Sequence, residues 1–178
     1  MNRIQLRFEN IQQVVGSEDI SVILLTDESR KRAISVVCDE MLSRQLMLRL
    51  QSPDNCQTML PEVLVQMLDG SHEMMIYGVH DGQYQVVLAD SSFKRNARIR
   101  ISDAVLLNVI SGIPLFIEET LMQQQAVPFE ENAKGVAIPI NTMDVKRLNL
   151  ALQNAIDKEN YELASQLRDE INRRNHVE

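Results

Sequence analysis

Arg98 and Arg100 are separated by a single residue in the stretch ARIRISDAVLLNVISGIP, and Ser102 and Asp103 follow at once. Two guanidiniums and a carboxylate so close together could hold a phosphate and move a proton beside it. On a strand, alternation puts Arg98 and Arg100 on one face, and an exposed helix N-terminus next to them would add its own N–H groups for an anion. Lys94 and Arg95 stand just before and would enlarge such a site. The same residues also have a purely structural reading. Ser102 is an apt N-cap, Asp103 complements the positive helix end, and Gly112 suits the stop. Taken alone, the stretch leaves a phosphate site and a capped helix both open.

The elements that must position these residues follow from periodicity. IQLRF from Ile4, ISVILLT from Ile20 and RAISVV from Arg32 are β-rich, and the polar DESRKR reads as the turn of a hairpin between the last two. From Asp39 the spacing becomes helical, with Met41, Leu42, Leu46 and Arg49 on one side, until SPDNCQ breaks it. A second helix is expected from about Thr58 to Leu68. EMMIYGVHDGQYQVVLA then reads as two strands joined around Asp81 and Gly82, a short-range hairpin signal. After the arginine strand and its helix come LFI as a short strand and EETLMQQQ as a short helix. Strand runs joined by hairpins, with helices between them, predict an α+β fold with a mixed or antiparallel sheet.

A chain of 178 residues, 44% hydrophobic, can bury one sizeable core with at most a small appendage. A formal net charge of −7 opposes non-specific nucleic-acid binding, so any such contact must be local and weak. No apolar run approaches a membrane span and the N-terminus lacks a signal-peptide block, which predicts a cytoplasmic, bacterial-type protein with no membrane partner. Cys38 and Cys56 make no metal or disulfide pattern and read as buried thiols. His72, His80 and His176 have no companions at metal-ligand spacing and read as surface or turn residues. The Arg-Lys-Arg run at 30–32 reads as a solvated hairpin tip, and the methionines of MLSRQLM, QMLDG and EMMIYG as core filler. No Gly-rich nucleotide loop, nucleophile elbow or HExxH is present.

Residues 126–143 carry two prolines, a glycine and no sustained period, and read as a linker after a domain of residues 1–125. Residues 144–175 form a helical hairpin: apolar positions at Leu148, Leu152, Ala155 and Ile156, then Tyr161, Leu163, Ala164, Leu167 and Ile171, with DKEN between. Two amphipathic helices of this size need a partner surface for their apolar faces. At this spacing, and above all in Leu167-Arg168-Asp169 followed by Ile171, the tail resembles a UVR motif, the hairpin of the B and C subunits of the bacterial excision nuclease and of some Clp chaperones and adaptors. The resemblance implies a protein-interaction hairpin pairing with a similar one through Leu152, Ile156, Tyr161, Leu167, Arg168 and Ile171.

In the order of its elements, and most of all in RISDAVLLNVISGIPLFIEETL, the preceding domain resembles the bifunctional nuclease family, described as acting on both DNA and RNA. Arg100, Ser102, Asp103, Ala104, Pro114, Glu118, Glu119 and Leu121 fall in that family's register. Arg98 occupies an acidic position, Ile101 a proline and Ile110 an arginine; Gln57, Thr58, Met59 and Leu60 align with a Thr-His-Asp-Leu sequence, and Leu42-Ser43 with a Glu-Ala pair. The resemblance implies phosphodiester hydrolysis with Arg100 binding phosphate beside Arg98, Asp103 orienting water, Arg100 or a Mg²⁺ or Mn²⁺ ion, and Ser102 shaping the helix start. Exchanging an acid for Arg98 favours phosphate affinity over base chemistry. The alternative is therefore a non-catalytic interaction or adaptor protein, for instance for a Clp-type machine, with a degenerate nuclease core. Homo-oligomerisation is compatible with either.

Overall fold

The computed structural model describes residues 2–13, 20–68, 70–129, 131, 143, 145–157 and 159–175. Three antiparallel strands open the fold: β1 (Arg3–Gln13), β2 (Ile20–Asp27) and β3 (Arg32–Asp39). The turn between β2 and β3 is organised by Asp27. Its buried carboxylate accepts from Ser29 Oγ, Lys31 N and Arg32 Nε, each at 3.0 Å. Burial pushes the Asp27 carboxyl up, but these donors together outweigh it and hold it below its ordinary range. Around this turn Arg30 pairs with Glu9 and Glu131, and Arg32 with Asp27 and Glu119. The basic run is therefore a set of ion-paired arginines at a hairpin tip.

Helix α1 (Glu40–Gln51) follows β3 with Asp39 as N-cap, its Oδ1 accepting from Leu42 N at 2.8 Å. Leu46 is fully buried and Leu42 packs beside it, whereas Met41 is 74% exposed, one helical step off the expected face. The methionine reading needs the same correction: Met74 is buried, but Met41, Met47 and Met67 are exposed. A 3₁₀ turn (Pro53–Cys56) leads to α2 (Leu60–Met67), a turn shorter than expected because Pro61 sets its first turn. Both cysteines are buried free thiols.

Strands β4 (His72–His80) and β5 (Gln83–Asp90) form the expected hairpin, with His80 opposite Gln83 and only Asp81 and Gly82 between them. Their φ values of 46° and 71° are those of a type I′ turn. Next, β6 (Asn96–Arg100) pairs antiparallel with β5, Arg98 facing Val87 and Arg100 facing Gln85. It runs without a break into α3 (Ile101–Ser111), which ends at Gly112 with φ 70°, its N–H donating to Asn108 O. Then come β7 (Leu115–Glu118), α4 (Glu119–Gln125) and a two-residue strand, β8 (Val127–Pro128).

The sheet order is β6-β5-β4-β7-β1-β2-β3-β8. The short β7 joins the two antiparallel halves, pairing parallel with β4 and antiparallel with β1. The fold is α+β with a mixed sheet, as expected. Leu46 of α1 and Ala104 and Val105 of α3 pack with Ile34, Val36, Ile76, Val86 and Leu115 in one core. The first residues of the segment read as linker enter the sheet as β8, with Phe129 N donating to Lys31 O at 2.9 Å. Residues 132–142 of that segment lie outside the described residues.

Helices α5 (Val145–Asp157) and α6 (Tyr161–Asn175) form a hairpin with a separate core of Leu148, Ala155, Ala164 and Leu167. Glu159 takes a left-handed φ of 56°, and Asn160 N donates to Ala155 O at 2.8 Å while Glu159 N donates to Ile156 O at 2.9 Å. Together these are the paired bonds of a Schellman stop. Asn160 Oδ1 then accepts from Leu163 N at 3.2 Å and starts α6. At the far end, Arg174 donates to Met143 O and lies 3.5 Å from Asp81 in the β4–β5 turn.

Candidate functional site: an arginine-edged cavity at the start of α3

Arg98 and Arg100 project from one face of β6 at the edge of the sheet, as alternation requires. Both are exposed. Their states differ. Arg100 Nε and Nη2 donate to the two oxygens of Asp103 at 2.8 and 3.0 Å, a fork-to-fork pair three residues apart. Asp103 is the main cause, through its hydrogen bonds and its charge, of the raised pKa of Arg100, with Asp39 adding a smaller attraction. The Arg98 side chain makes no hydrogen bond or ion pair among the described residues, which leaves its guanidinium available to an incoming anion.

The start of α3 departs from the expected cap. Ser102 lies inside the helix, and the N-cap position belongs to Arg100, whose side chain makes no capping bond. Because β6 passes into α3 with no residue between them, the last strand residue has to serve as the cap. Its guanidinium, a donor only, turns to Asp103 instead. Asp103 does fall in the first turn, where a carboxylate complements the helix dipole. Lys94 and Arg95 are not part of the site. They sit in the β5–β6 turn at the opposite end of β6, about 17 Å from Arg100 at the ordinary strand rise. There Asp90 accepts from Ser92 and Lys94 N–H groups.

A cavity of about 700 Å³ opens beside the two arginines, between β3–α1 on one side and β5–β6–α3 on the other. Arg98, Arg100, Ser102 and Asp103 line it, so the structure brings together all four residues read from the sequence as catalytic or phosphate-binding. It adds Asp39, a carboxylate that sequence reasoning used only as a helix start. The signal was present, since Asp39 stands at a strand-to-helix junction like the one at Arg100. Gln45, Gln83 and Gln85 contribute amides, and Leu42, Ile99 and Leu106 an apolar wall. Gln57, Thr58, Met59 and Leu60 are not among the lining residues.

Two further groups in the wall are held neutral. Burial first, and then the charge of Asp39, pushes the Cys38 thiol up to about 11, so it is no nucleophile at neutral pH. Tyr84 is 4% exposed, burial raises its pKa, and its hydroxyl has no hydrogen-bond partner among the described residues. Behind the cavity, Arg49 is buried and forks onto Glu62, at 2.6 and 2.9 Å, pinning α1 to α2. Arg49 Nη1 also donates to Gln45 Oε1 at 2.7 Å.

A family model of the bifunctional nuclease domain matches residues 22–130. The chain belongs to the bifunctional nuclease domain family. A model of the UvrB/UvrC motif matches residues 145–173, which cover nearly all of α5 and α6. No curated protein matches the chain. The bifunctional nuclease match begins inside β2, and β1 pairs with both β2 and β7 at the centre of the sheet. Every residue lining the cavity lies within that match.

For a divalent ion, the donor set as it stands is a poor fit. Both Asp103 oxygens accept from Arg100 and one Asp39 oxygen accepts from the α1 backbone. Among the described residues, no three His, Cys, Asp or Glu side chains converge as a metal-binding group. Nor is any described helix long and apolar enough to cross a membrane.

In the UVR hairpin the expected contact residues divide. Leu167 is 1% exposed, inside the hairpin's own core, and Leu152 and Ile171 pack against that core. These three hold α5 to α6 because two amphipathic helices first bury their apolar faces on each other. Ile156 and Tyr161 are exposed near the bend, and Arg168 is exposed beside Asp169, to which it donates at 3.0 Å.

Proposed function

We propose that the cavity at the start of α3 is a phosphodiester-hydrolysing site for DNA or RNA, with the UVR hairpin recruiting a protein partner. The carrying observation is the convergence of an unpaired Arg98, the Arg100–Asp103 pair and Asp39 at one cavity mouth. Arg98 takes the phosphate first. A second phosphate oxygen then competes with Asp103 for the Arg100 fork, which suits either anion equally well. Released, the Asp103 carboxylate accepts a proton from a water whose oxygen attacks phosphorus; the P–O bond to the leaving group breaks, and that oxygen takes a proton from solvent. Ser102 contributes its place in the first turn of α3. No step here requires Mg²⁺ or Mn²⁺, in keeping with the occupied carboxylates.

Asp103→Asn is expected to lower the hydrolysis rate by at least about a hundredfold, the usual worth of a positioned acid or base. Purified protein and variant are incubated with labelled DNA and RNA, with and without Mg²⁺ or Mn²⁺. Equal rates in the two proteins exclude Asp103 as the base. No cleavage under any condition moves the chain to the second reading, a non-catalytic nucleic-acid-binding adaptor. That reading is favoured by the closed Arg100–Asp103 fork, which neutralises the base in the resting protein, and by the exposed Ile156 and Tyr161 of the UVR hairpin.

A further inference from the structure

The cavity is larger than a phosphate requires, and its lining carries chemistry that a sugar–phosphate backbone does not use. Two amides there have fixed roles. Gln45 Oε1 accepts from the buried Arg49, which leaves the Gln45 NH₂ group without a partner among the described residues. Gln85 Nε2 donates to Gln83 O at 3.1 Å, which leaves the Gln85 carbonyl oxygen to accept. A donor from Gln45 on α1 and an acceptor from Gln85 on β5 thus belong to residues that line the cavity together with Leu42, Ile99 and Met41. Nucleobase edges present the complementary pair, a carbonyl or ring nitrogen beside an N–H, on a flat apolar body.

Building on the phosphate site proposed above, we propose that the cavity receives one unpaired nucleobase, with its 5′ or 3′ phosphate at Arg98, so that the preferred ligand is single-stranded. Gln45 and Gln85 read the base edge. The buried Arg49–Glu62 pair acts as a positioning device, because it decides which end of the Gln45 amide faces the cavity. A duplex cannot enter without unpairing a base, which costs it binding energy that a single strand keeps.

The test compares three fluorescein-labelled ligands of equal length on the full chain by anisotropy: a single-stranded oligonucleotide, an abasic strand with the same phosphates, and a blunt duplex. The single strand is expected to bind at least about tenfold more tightly than the abasic strand, in the range that base contacts supply. Gln45→Leu/Gln85→Leu should bring the single strand down to the abasic level and leave abasic binding unchanged. Equal binding of base-bearing and abasic strands by the wild type overturns the base pocket while leaving the phosphate site standing. Preference for the duplex also overturns it. No binding of any ligand removes the phosphate site and the base pocket together.

Discussion

Glu62→Ala is expected to destabilise the sheet domain by about 3–5 kcal/mol, because it leaves the Arg49 guanidinium buried without its counter-charge. Arg49 is 5% exposed and spends its donors on Glu62, the Gln45 carbonyl and the Gln45 side chain. Water cannot replace Glu62 there without opening the contact between α1 and α2. The loss should appear as a fall in melting temperature on the order of 10 °C. Arg49→Met/Glu62→Leu, which removes both charges, should recover most of that stability, since a buried ion pair is worth little against apolar side chains of similar volume. Thermal melts of the two variants decide the matter. If Glu62→Ala melts within a degree or two of the wild type, Arg49 has another partner or is hydrated, and the orientation assigned to Gln45 has no support.

Leu167→Asp is expected to unfold the α5–α6 hairpin while leaving the sheet domain's melt in place. Leu167 sits with Leu148, Ala155 and Ala164 in a core that shares no residue with the core beneath the sheet. Truncating a buried leucine alone costs about 2–5 kcal/mol, and a carboxylate in its place adds its own desolvation. Two short helices have no reserve against a loss of that size. Circular dichroism should show helix lost in an amount matching α5 and α6. Tyr161→Ala and Ile156→Ala, at exposed positions, should leave the hairpin folded. A folded hairpin in Leu167→Asp would mean that the helices are held by something other than their shared core.

Much of the fold was legible because its strands are half-buried and alternate, and its turns use residues suited to them. Asp81-Gly82 specifies a two-residue hairpin, and Asp39 and Gly112 mark the helix ends where the structure has them. The pairing of β7 between β1 and β4 was not legible, since a four-residue strand carries no mark of its neighbours. At the site, alternation placed Arg98 and Arg100 correctly, but two errors have one cause. Adjacency in sequence points to Ser102 as the cap and to Lys94 and Arg95 as part of the anion site, but it does not give position in space. A strand that runs directly into a helix moves the cap back to Arg100, and an extended strand carries Lys94 and Arg95 away from it. Asp39, Gln45, Tyr84 and Gln85 join the cavity from elements far away in the chain, which no local pattern reveals. In the hairpin, periodicity identified the apolar positions without saying which of them the two helices would use on each other.

Nucleic-acid phosphate is expected to bind at Arg98 and Arg100, beside the cavity. The measurement is the anisotropy of a short labelled single strand, titrated with wild type and with Arg98→Ala/Arg100→Ala at a series of salt concentrations. Each phosphate contact to a single strand contributes about 0.7 to the slope of log affinity against log salt. The wild type is expected to bind weakly at low salt with a slope steeper than the double variant's by about 0.7, since both arginines hold one phosphate, and the double variant to lose most of the binding at unchanged melting temperature. Binding indifferent to salt, or equally strong without the two arginines, would mean that they hold no phosphate.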